Sequence, residues 1–336
     1  MANFNLLDSF IERAKGSGKR IVLPDGNDVR AIKAASIAAQ LKLAKIIILG
    51  DENEIAPKIN KKLLNEIAII NPARENPLSV VYANALYELR KHKGMTIENA
   101  KFEITKPSVF ASLMVKLGDA DGVVGGISMP TAELIRPAFQ IVKTAPGADK
   151  VSSFMIMKMP NGTNFGSRGV MFFADCGVIP EPTSEDLATI AIETANSAKN
   201  LCGITPRVAL LSYSTHSSGG ETESVSKVKN ALKIVKEKCP ELIIDGEVQA
   251  DAAIVPEVSA SKCLDNNVLG GRANVLVFPN LDSANIGYKL VQRIAGVEAV
   301  GPILQGLASP VNDLSRGASV NEMVRAIAIT ALQSKK

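Results

Sequence analysis

Only two histidines, His92 and His216, occur in the 336 residues of this chain. That scarcity argues against a histidine-built metal site and against a Ser-His-Asp triad, both of which need an imidazole at a fixed place. Cysteine is nearly as sparse. Cys176, Cys202, Cys239 and Cys263 form no C-x-x-C pair and have no histidine at ligand spacing, so they read as reduced, mostly buried thiols of a cytoplasmic protein. No apolar run approaches the roughly 20 residues that span a bilayer. Met1-Ala-Asn-Phe-Asn lacks the basic and apolar regions of a signal peptide. No G-x-G-x-x-G follows a strand, so a dinucleotide fingerprint is absent. Gly16-Ser-Gly-Lys19 fails as a nucleotide loop, because position 13 is arginine, position 20 is arginine, and the run precedes a strand. It reads as a flexible turn. Repeats, low-complexity tracts and long charge runs are also missing.

The charge excess is slight, 38 Lys+Arg against 34 Asp+Glu, or +4. A nucleic-acid binder would concentrate a basic face, whereas this balance suits a local positive pocket for a phosphorylated ligand. A hydrophobic share of 46% with 21% charged residues fits a soluble globular protein, and the length calls for two domains.

The pattern is α/β throughout. Arg20-Ile-Val-Leu-Pro24 reads as a buried strand, Asp25-Gly-Asn-Asp28 as a turn with N-cap candidates, Val29 to Leu43 as a helix, and Lys45-Ile-Ile-Ile-Leu49 as a second strand. This βαβ unit implies parallel pairing. Helices are predicted at 80–92 and 107–117, and a strand at 121–125. Pro146-Gly147 interrupts the pattern and marks a domain boundary. Strands follow at 151–157 and 169–173, the latter a candidate antiparallel partner. A capped helix runs from Thr183 to about Leu201. Further strands are predicted at 207–211, 241–244, 274–278 and 301–305, with helices at 221–238 and 284–295. Ligands in such folds sit at the carboxyl ends of strands.

The most telling stretch is Asp313-Leu-Ser-Arg-Gly-Ala-Ser-Val-Asn-Glu322. Val320, Met323, Val324 and Ile327 give the following helix its apolar stripe. Ser319 and Glu322 have the spacing of a capping box. Free N–H groups at the helix start, the Arg316 fork and the Ser315 hydroxyl together make an anion site for a phosphate or carboxylate. Glu322 is open to two readings, as the cap alone or as a general base within a turn of Arg316. Arg90, in Arg90-Lys-His-Lys93, is either a cation complementing a helix C-terminus or part of a patch for an anionic tail. Arg136, on a helix after Gly125-Gly-Ile-Ser-Met-Pro-Thr131, either faces a phosphate or lies on the surface. Ser214-Thr-His-Ser-Ser218 is a hydroxyl-rich loop after a strand, and its His216 reads as a loop residue rather than a base.

Taken together, these segments resemble the phosphate acetyltransferases. The resemblance is carried by Gly301-Pro-Ile-Leu-Gln-Gly-Leu-Ala-Ser-Pro-Val-Asn-Asp-Leu-Ser-Arg-Gly-Ala-Ser-Val320, Ala284-Asn-Ile-Gly-Tyr-Lys289, Gly246-Glu-Val-Gln-Ala-Asp-Ala-Ala253, Val255-Pro-Glu257, Ala120-Asp-Gly-Val-Val-Gly-Gly126, Ile135-Arg-Pro137 and Phe173-Ala-Asp-Cys176. It runs in order from about residue 20 to 332. It implies reversible acetyl transfer between acetyl phosphate and coenzyme A in acetate metabolism. It also implies a cytoplasmic homodimer, and a two-domain α/β/α fold like that of isocitrate and isopropylmalate dehydrogenases. The first domain would comprise 1–148 plus 301–336 and the second 149–300, with the active site in the cleft between them.

By the same resemblance Ser315 and Arg316 handle the phosphoryl group, with Glu322 as the third catalytic candidate. Arg90 and Arg136 help bind coenzyme A, and Ser128, Thr131, Ser214, Thr215, Asn285, Tyr288 and Gly317 are further candidates for contact with coenzyme A or phosphate. No metal or tightly bound cofactor is expected, and neither nucleic acid nor membrane is an expected partner. The chain departs from the family pattern in four places: Glu322 stands where an aspartate is usual, Ala318 for a cysteine, His216 for a lysine, and Gly162 for an occasional cysteine. The competing readings are transfer of a longer acyl group such as butyryl, a metal-dependent decarboxylating dehydrogenase on a similar fold, and a non-catalytic acyl-phosphate or coenzyme A sensor.

Overall fold

The computed structural model describes residues 6–75, 77–146, 148–160, 163–263 and 267–334. Gly147 of the expected boundary and Gly162 lie outside them. The strands in chain order are β1 (Arg20–Leu23), β2 (Lys45–Leu49), β3 (Ile67–Ile70), β4 (Gly122–Gly125), β5 (Ser152–Lys158), β6 (Val170–Ala174), β7 (Arg207–Leu211), β8 (Ile243–Val248), β9 (Val275–Val277), β10 (Glu298–Gln305) and β11 (Val311–Asp313).

The chain divides into two units, one of Met1–Asp149 with Leu307–Lys336 and the other of Lys150–Gly306. The sequence reading returned the chain to the first unit at residue 301. The structure keeps β10 in the second unit, because β10 pairs antiparallel with β5 along residues 298–305.

The first unit holds a parallel sheet in the order β11-β4-β1-β2-β3. Arg20-Ile-Val-Leu and Lys45-Ile-Ile-Ile-Leu are near-continuous apolar runs rather than alternating ones, as strands covered on both faces require. On one face Val22, Ile47, Leu49 and Val123 join a core with Tyr82, Phe110, Leu113 and Leu134 from helices. The Tyr82 and Phe110 rings lie 4.8 Å apart in a tilted pair. The helices Leu6–Ala14 and Val29–Gln40 pack against the helix Val320–Gln333, which contributes Met323, Ile327 and Ile329 as buried side chains. That last helix is tied to β11 by side chains: Asn312 Nδ2 donates to Thr330 Oγ1 at 2.8 Å and to Gln333 Oε1 at 2.7 Å.

The second unit holds a mixed sheet in the order β10-β5-β6-β9-β7-β8, antiparallel at β10/β5 and β5/β6 and parallel elsewhere. Its core gathers Met155, Met157, Met171, Phe173 and Leu276, with Ala284 and Tyr288 supplied by the helix Leu281–Ile294. The helix Ser184–Cys202 begins with the capping box expected of Thr183 and Asp186.

Candidate active site

In the first unit the chain order of strands turns around between β1 and β4: β2 and β3 extend one way from β1, and β4 and β11 the other. Ligands of open parallel sheets bind at the carboxyl ends of strands at such a reversal. Three loops leave the sheet there. The first begins with Asp25 after β1, the second is Gly126-Ile-Ser128 after β4, and the third is Leu314-Ser-Arg-Gly-Ala318 after β11.

Two buried carboxylates knit these loops together. Asp25 is fully buried and accepts the N–H of Gly126 at 2.9 Å, the N–H of Ser128 at 3.0 Å, and the Ser128 hydroxyl. Asp313, 2% exposed, accepts the Thr131 hydroxyl on Oδ2 at 2.8 Å. Its Oδ1 is buried with no hydrogen-bond partner. Burial pushes the Asp313 carboxyl up to about 7, and the nearby Asp25 charge adds to the rise. Burial likewise raises Asp25, against the pull of the Ser128 hydroxyl and the two N–H groups. Gly126 is required at this point: its φ is +98°, and a Cβ there would collide with Asp313 Oδ1.

The third loop opens the last helix. Ser315, Arg316 and Gly317 are exposed, while Leu314 and Ala318 are buried anchors on either side. The Leu314 N–H donates to Gly125 O at 2.8 Å, and the Ala318 N–H to Ser315 O at 2.8 Å. Ser319 caps the helix as expected. Its hydroxyl accepts the Glu322 N–H at 3.2 Å, and the Glu322 carboxylate accepts the Ser319 N–H at 2.6 Å. Glu322 therefore has a structural task whatever else it does.

One residue of this corner escaped the sequence reading. Arg30 donates to Arg316 O at 2.8 Å, Ala318 O at 3.0 Å, Ile127 O at 3.1 Å and both oxygens of Asp28. It sits in the first turn of the helix Val29–Gln40, where the dipole disfavours a cation. That mismatch was the one signal available in the sequence.

Arg136 is exposed near the end of the helix Thr131–Pro137 and lines a pocket of about 660 Å³ with Leu86, Lys106, Met129 and Gln140. Arg90 is half-buried at the end of the helix Pro77–Arg90, one turn beyond Leu86. Within the first unit the sheet edge thus assembles Ser128, Thr131, Ser315, Arg316, Gly317 and Glu322, with Arg136 on the helix that Thr131 begins.

The second unit treats its candidates differently. Ser214 and Thr215 are buried, and their hydroxyls donate to Glu247 Oε1 at 2.9 Å and Gln249 Oε1 at 3.2 Å. They shape the loop instead of presenting free hydroxyls. His216, at φ +45°, meets Asp245 Oδ2 through Nε2 at 3.2 Å. Asn285 donates to Cys176 O at 3.2 Å, and Tyr288 is buried in the core. Asp175, also buried, accepts N–H groups from Ser153, Gly177, Val178 and Ile179, and organises the turn after β6.

Residues 5–331 match the family described as phosphate acetyl/butaryl transferase. The chain is 50% identical to the phosphate acetyltransferase of Thermoanaerobacterium thermosaccharolyticum, over 98% of this chain and 100% of that one. It is 44% identical to the Escherichia coli phosphate acetyltransferase over 96% of its own length, which is 44% of that longer protein. Among solved structures, a phosphotransacetylase from Streptococcus pyogenes superposes with a TM-score of 0.90 at 40% identity, covering 99% of each chain. A 4-hydroxythreonine-4-phosphate dehydrogenase from Klebsiella pneumoniae shares the fold alone, with a TM-score of 0.52 at 10% identity over 94% of this chain and 100% of that one. The two-unit α/β architecture is accordingly of the dehydrogenase-like kind expected from the sequence. With a family match over residues 5–331 and a relative half identical along its whole length, this chain is an acyltransferase belonging to the phosphate acetyl/butaryl transferase family.

Proposed function

We propose that the enzyme transfers an acetyl group reversibly between acetyl phosphate and coenzyme A, by direct attack of the thiolate within a ternary complex. The observation that carries this reading is the exposed Ser315-Arg316-Gly317 turn at the head of a capped helix. It stands on the carboxyl edge of the sheet, in a chain half identical to a phosphate acetyltransferase.

The chemistry divides among the residues as follows. The coenzyme A thiol, with a pKa near ~8.5 by analogy with cysteine, loses its proton to a carboxylate, for which Glu322 is the candidate. The thiolate attacks the acetyl carbonyl carbon. The bond to the phosphate oxygen breaks as the tetrahedral intermediate collapses, and phosphate departs. Arg316 balances the charge gathering on that leaving group, and the Ser315 hydroxyl donates a hydrogen bond to it. N–H groups near the helix start are suited to the tetrahedral oxyanion, a contribution of roughly 3–4 kcal/mol per donor in well-studied enzymes. Arg136 and Arg90 supply positive charge for the phosphates of coenzyme A. Ser128, Thr131 and Gly317 complete the contacts on the first unit, and Asn285 and Tyr288 are candidates on the second. Ser214 and Thr215 contribute by shaping their loop. The acting form is read as a cytoplasmic homodimer.

The test is an assay of coenzyme A with acetyl phosphate that follows thioester absorbance, with no metal or nicotinamide added. Turnover is expected, and Arg316→Gln should lower it about 10²–10³-fold without loss of fold. A variant as fast as the parent would remove Arg316 from the mechanism. Butyryl phosphate in the same cuvette reports the acyl length the pocket accepts.

A further inference from the structure

We propose that Arg30 is a positioning residue for the anion site: it sets the peptide planes of the 315–319 corner and does not itself touch substrate. The proposal rests on the reading of Arg316 and Ser315 given above.

A guanidinium has five N–H donors. In Arg30 each has an acceptor. Nε donates to Asp28 Oδ1 at 3.0 Å, Nη1 to Arg316 O at 2.8 Å and Ala318 O at 3.0 Å, and Nη2 to Asp28 Oδ2 at 2.7 Å and Ile127 O at 3.1 Å. Nothing is left over for a phosphate. The acceptors come from the cap of the helix after β1, the glycine turn after β4 and the corner after β11. One planar group therefore clamps all three loops of the sheet edge. Asp28 neutralises the cation and is itself held below the usual carboxylate range by the Arg30 fork.

The consequence for the site follows from the planarity of the peptide. In a trans peptide the carbonyl of one residue and the N–H of the next point in opposite directions. Turning the carbonyls of Arg316 and Ala318 onto Arg30 turns the N–H groups of Gly317 and Ser319 away from it. The first meets Ser315 Oγ at 3.3 Å, and the second meets the Glu322 carboxylate at 2.6 Å. The hydroxyl assigned to phosphate and the carboxylate assigned to the thiol proton are thus both oriented by peptide groups whose far side Arg30 holds. A lysine would keep the charge but cannot hold both carbonyls, Ile127 O and the carboxylate at once.

The full-length Arg30→Lys, Arg30→Ala, Asp28→Asn and Arg316→Gln variants separate the possibilities, with kcat, KM for each substrate, inhibition by inorganic phosphate and thermal midpoint as readouts. For Arg30→Lys the expected result is a fall of about 100-fold in kcat/KM for acetyl phosphate, the size typical of a misplaced catalytic group. Inhibition by phosphate should weaken in parallel, and KM for coenzyme A should stay within about twofold, since Arg30 makes no bond to Arg90 or Arg136. Asp28→Asn, which frees the fork, should fall between parent and Arg30→Lys. A lower thermal midpoint with every kinetic constant unchanged would show a merely structural arginine and overturn the proposal. If Arg316→Gln is fully active, the reading of the site fails instead. If Arg316→Gln is impaired while Arg30→Lys is not, the site stands and the positioning role falls. Should Arg30→Ala not accumulate as folded protein, the lysine and Asp28→Asn variants carry the comparison, since both keep a cation at position 30.

Discussion

Glu322 and Ser319 exchange hydrogen bonds across one helical turn, the carboxylate accepting the Ser319 N–H at 2.6 Å and the Ser319 hydroxyl accepting the Glu322 N–H at 3.2 Å. Glutamine completes such a box as well as glutamate does, yet it takes no proton from a thiol. Glu322→Gln should therefore keep the thermal midpoint while lowering kcat by about 10²–10⁴-fold. Glu322→Ala should lose both. A glutamine variant with parental turnover would leave Glu322 as a helix cap and nothing more.

The ionisation of Asp313 makes stability depend on pH with a definite sign. Its carboxyl is raised to about 7 in the fold, whereas an unfolded aspartate ionises near ~3.9. Between those values the folded state keeps a proton that the unfolded chain has lost. The associated stability is therefore complete below about pH 4 and is lost as pH climbs to about 7. Asp313→Asn cannot ionise and still offers Thr131 an acceptor. Urea midpoints at pH 4 and pH 8 should show the variant gaining on the parent by a few kcal/mol at the higher pH, at roughly 1.4 kcal/mol per pH unit of displacement. Equal differences at the two values would contradict the buried, unpaired Oδ1.

Gly126→Ala should be costly out of proportion to its size. It places a Cβ at φ +98° and against Asp313 Oδ1. A loss of at least about 2 kcal/mol is expected from strain and collision together. Denaturant unfolding measures it, and a neutral substitution would mean the β4 turn is not held as described.

Arg136 is exposed on its helix, so its removal should leave stability within about 0.5 kcal/mol. If it binds a phosphate of coenzyme A, Arg136→Ala should raise KM for coenzyme A about 10- to 100-fold, the equivalent of one charge-assisted hydrogen bond. KM for acetyl phosphate should hardly move. A rise in the acetyl phosphate constant instead would assign Arg136 to the other substrate.

How much of this was legible beforehand depends on the range of the interactions. β1, β2, the helix between them and both capping boxes declare themselves through short-range pattern, and they stand within a few residues of where they were placed. β11 did not, because three residues, Val311–Asp313, are too few to show a period. β3 and the helix Leu6–Ala14 were passed over too. Asp25 read as a turn former, since nothing local says that Gly126 and Ser128, a hundred positions on, will donate to it. Arg30 and Arg316 are 286 residues apart. Only folding brings such pairs together, so the exposed turn and the capped helix after it were readable while most of what holds them was not.

The Ala308 N–H donates to Lys143 O at 2.9 Å, and Leu307 bridges Thr144. The polypeptide thus departs from its first unit and re-enters it at adjoining points. A splice of a few residues across that gateway would leave all five strands of the parallel sheet on one continuous chain without rerouting any of them. Residues 150–306 are thus an insertion between two neighbouring positions, and none of the three loops that Arg30 ties together lies within it.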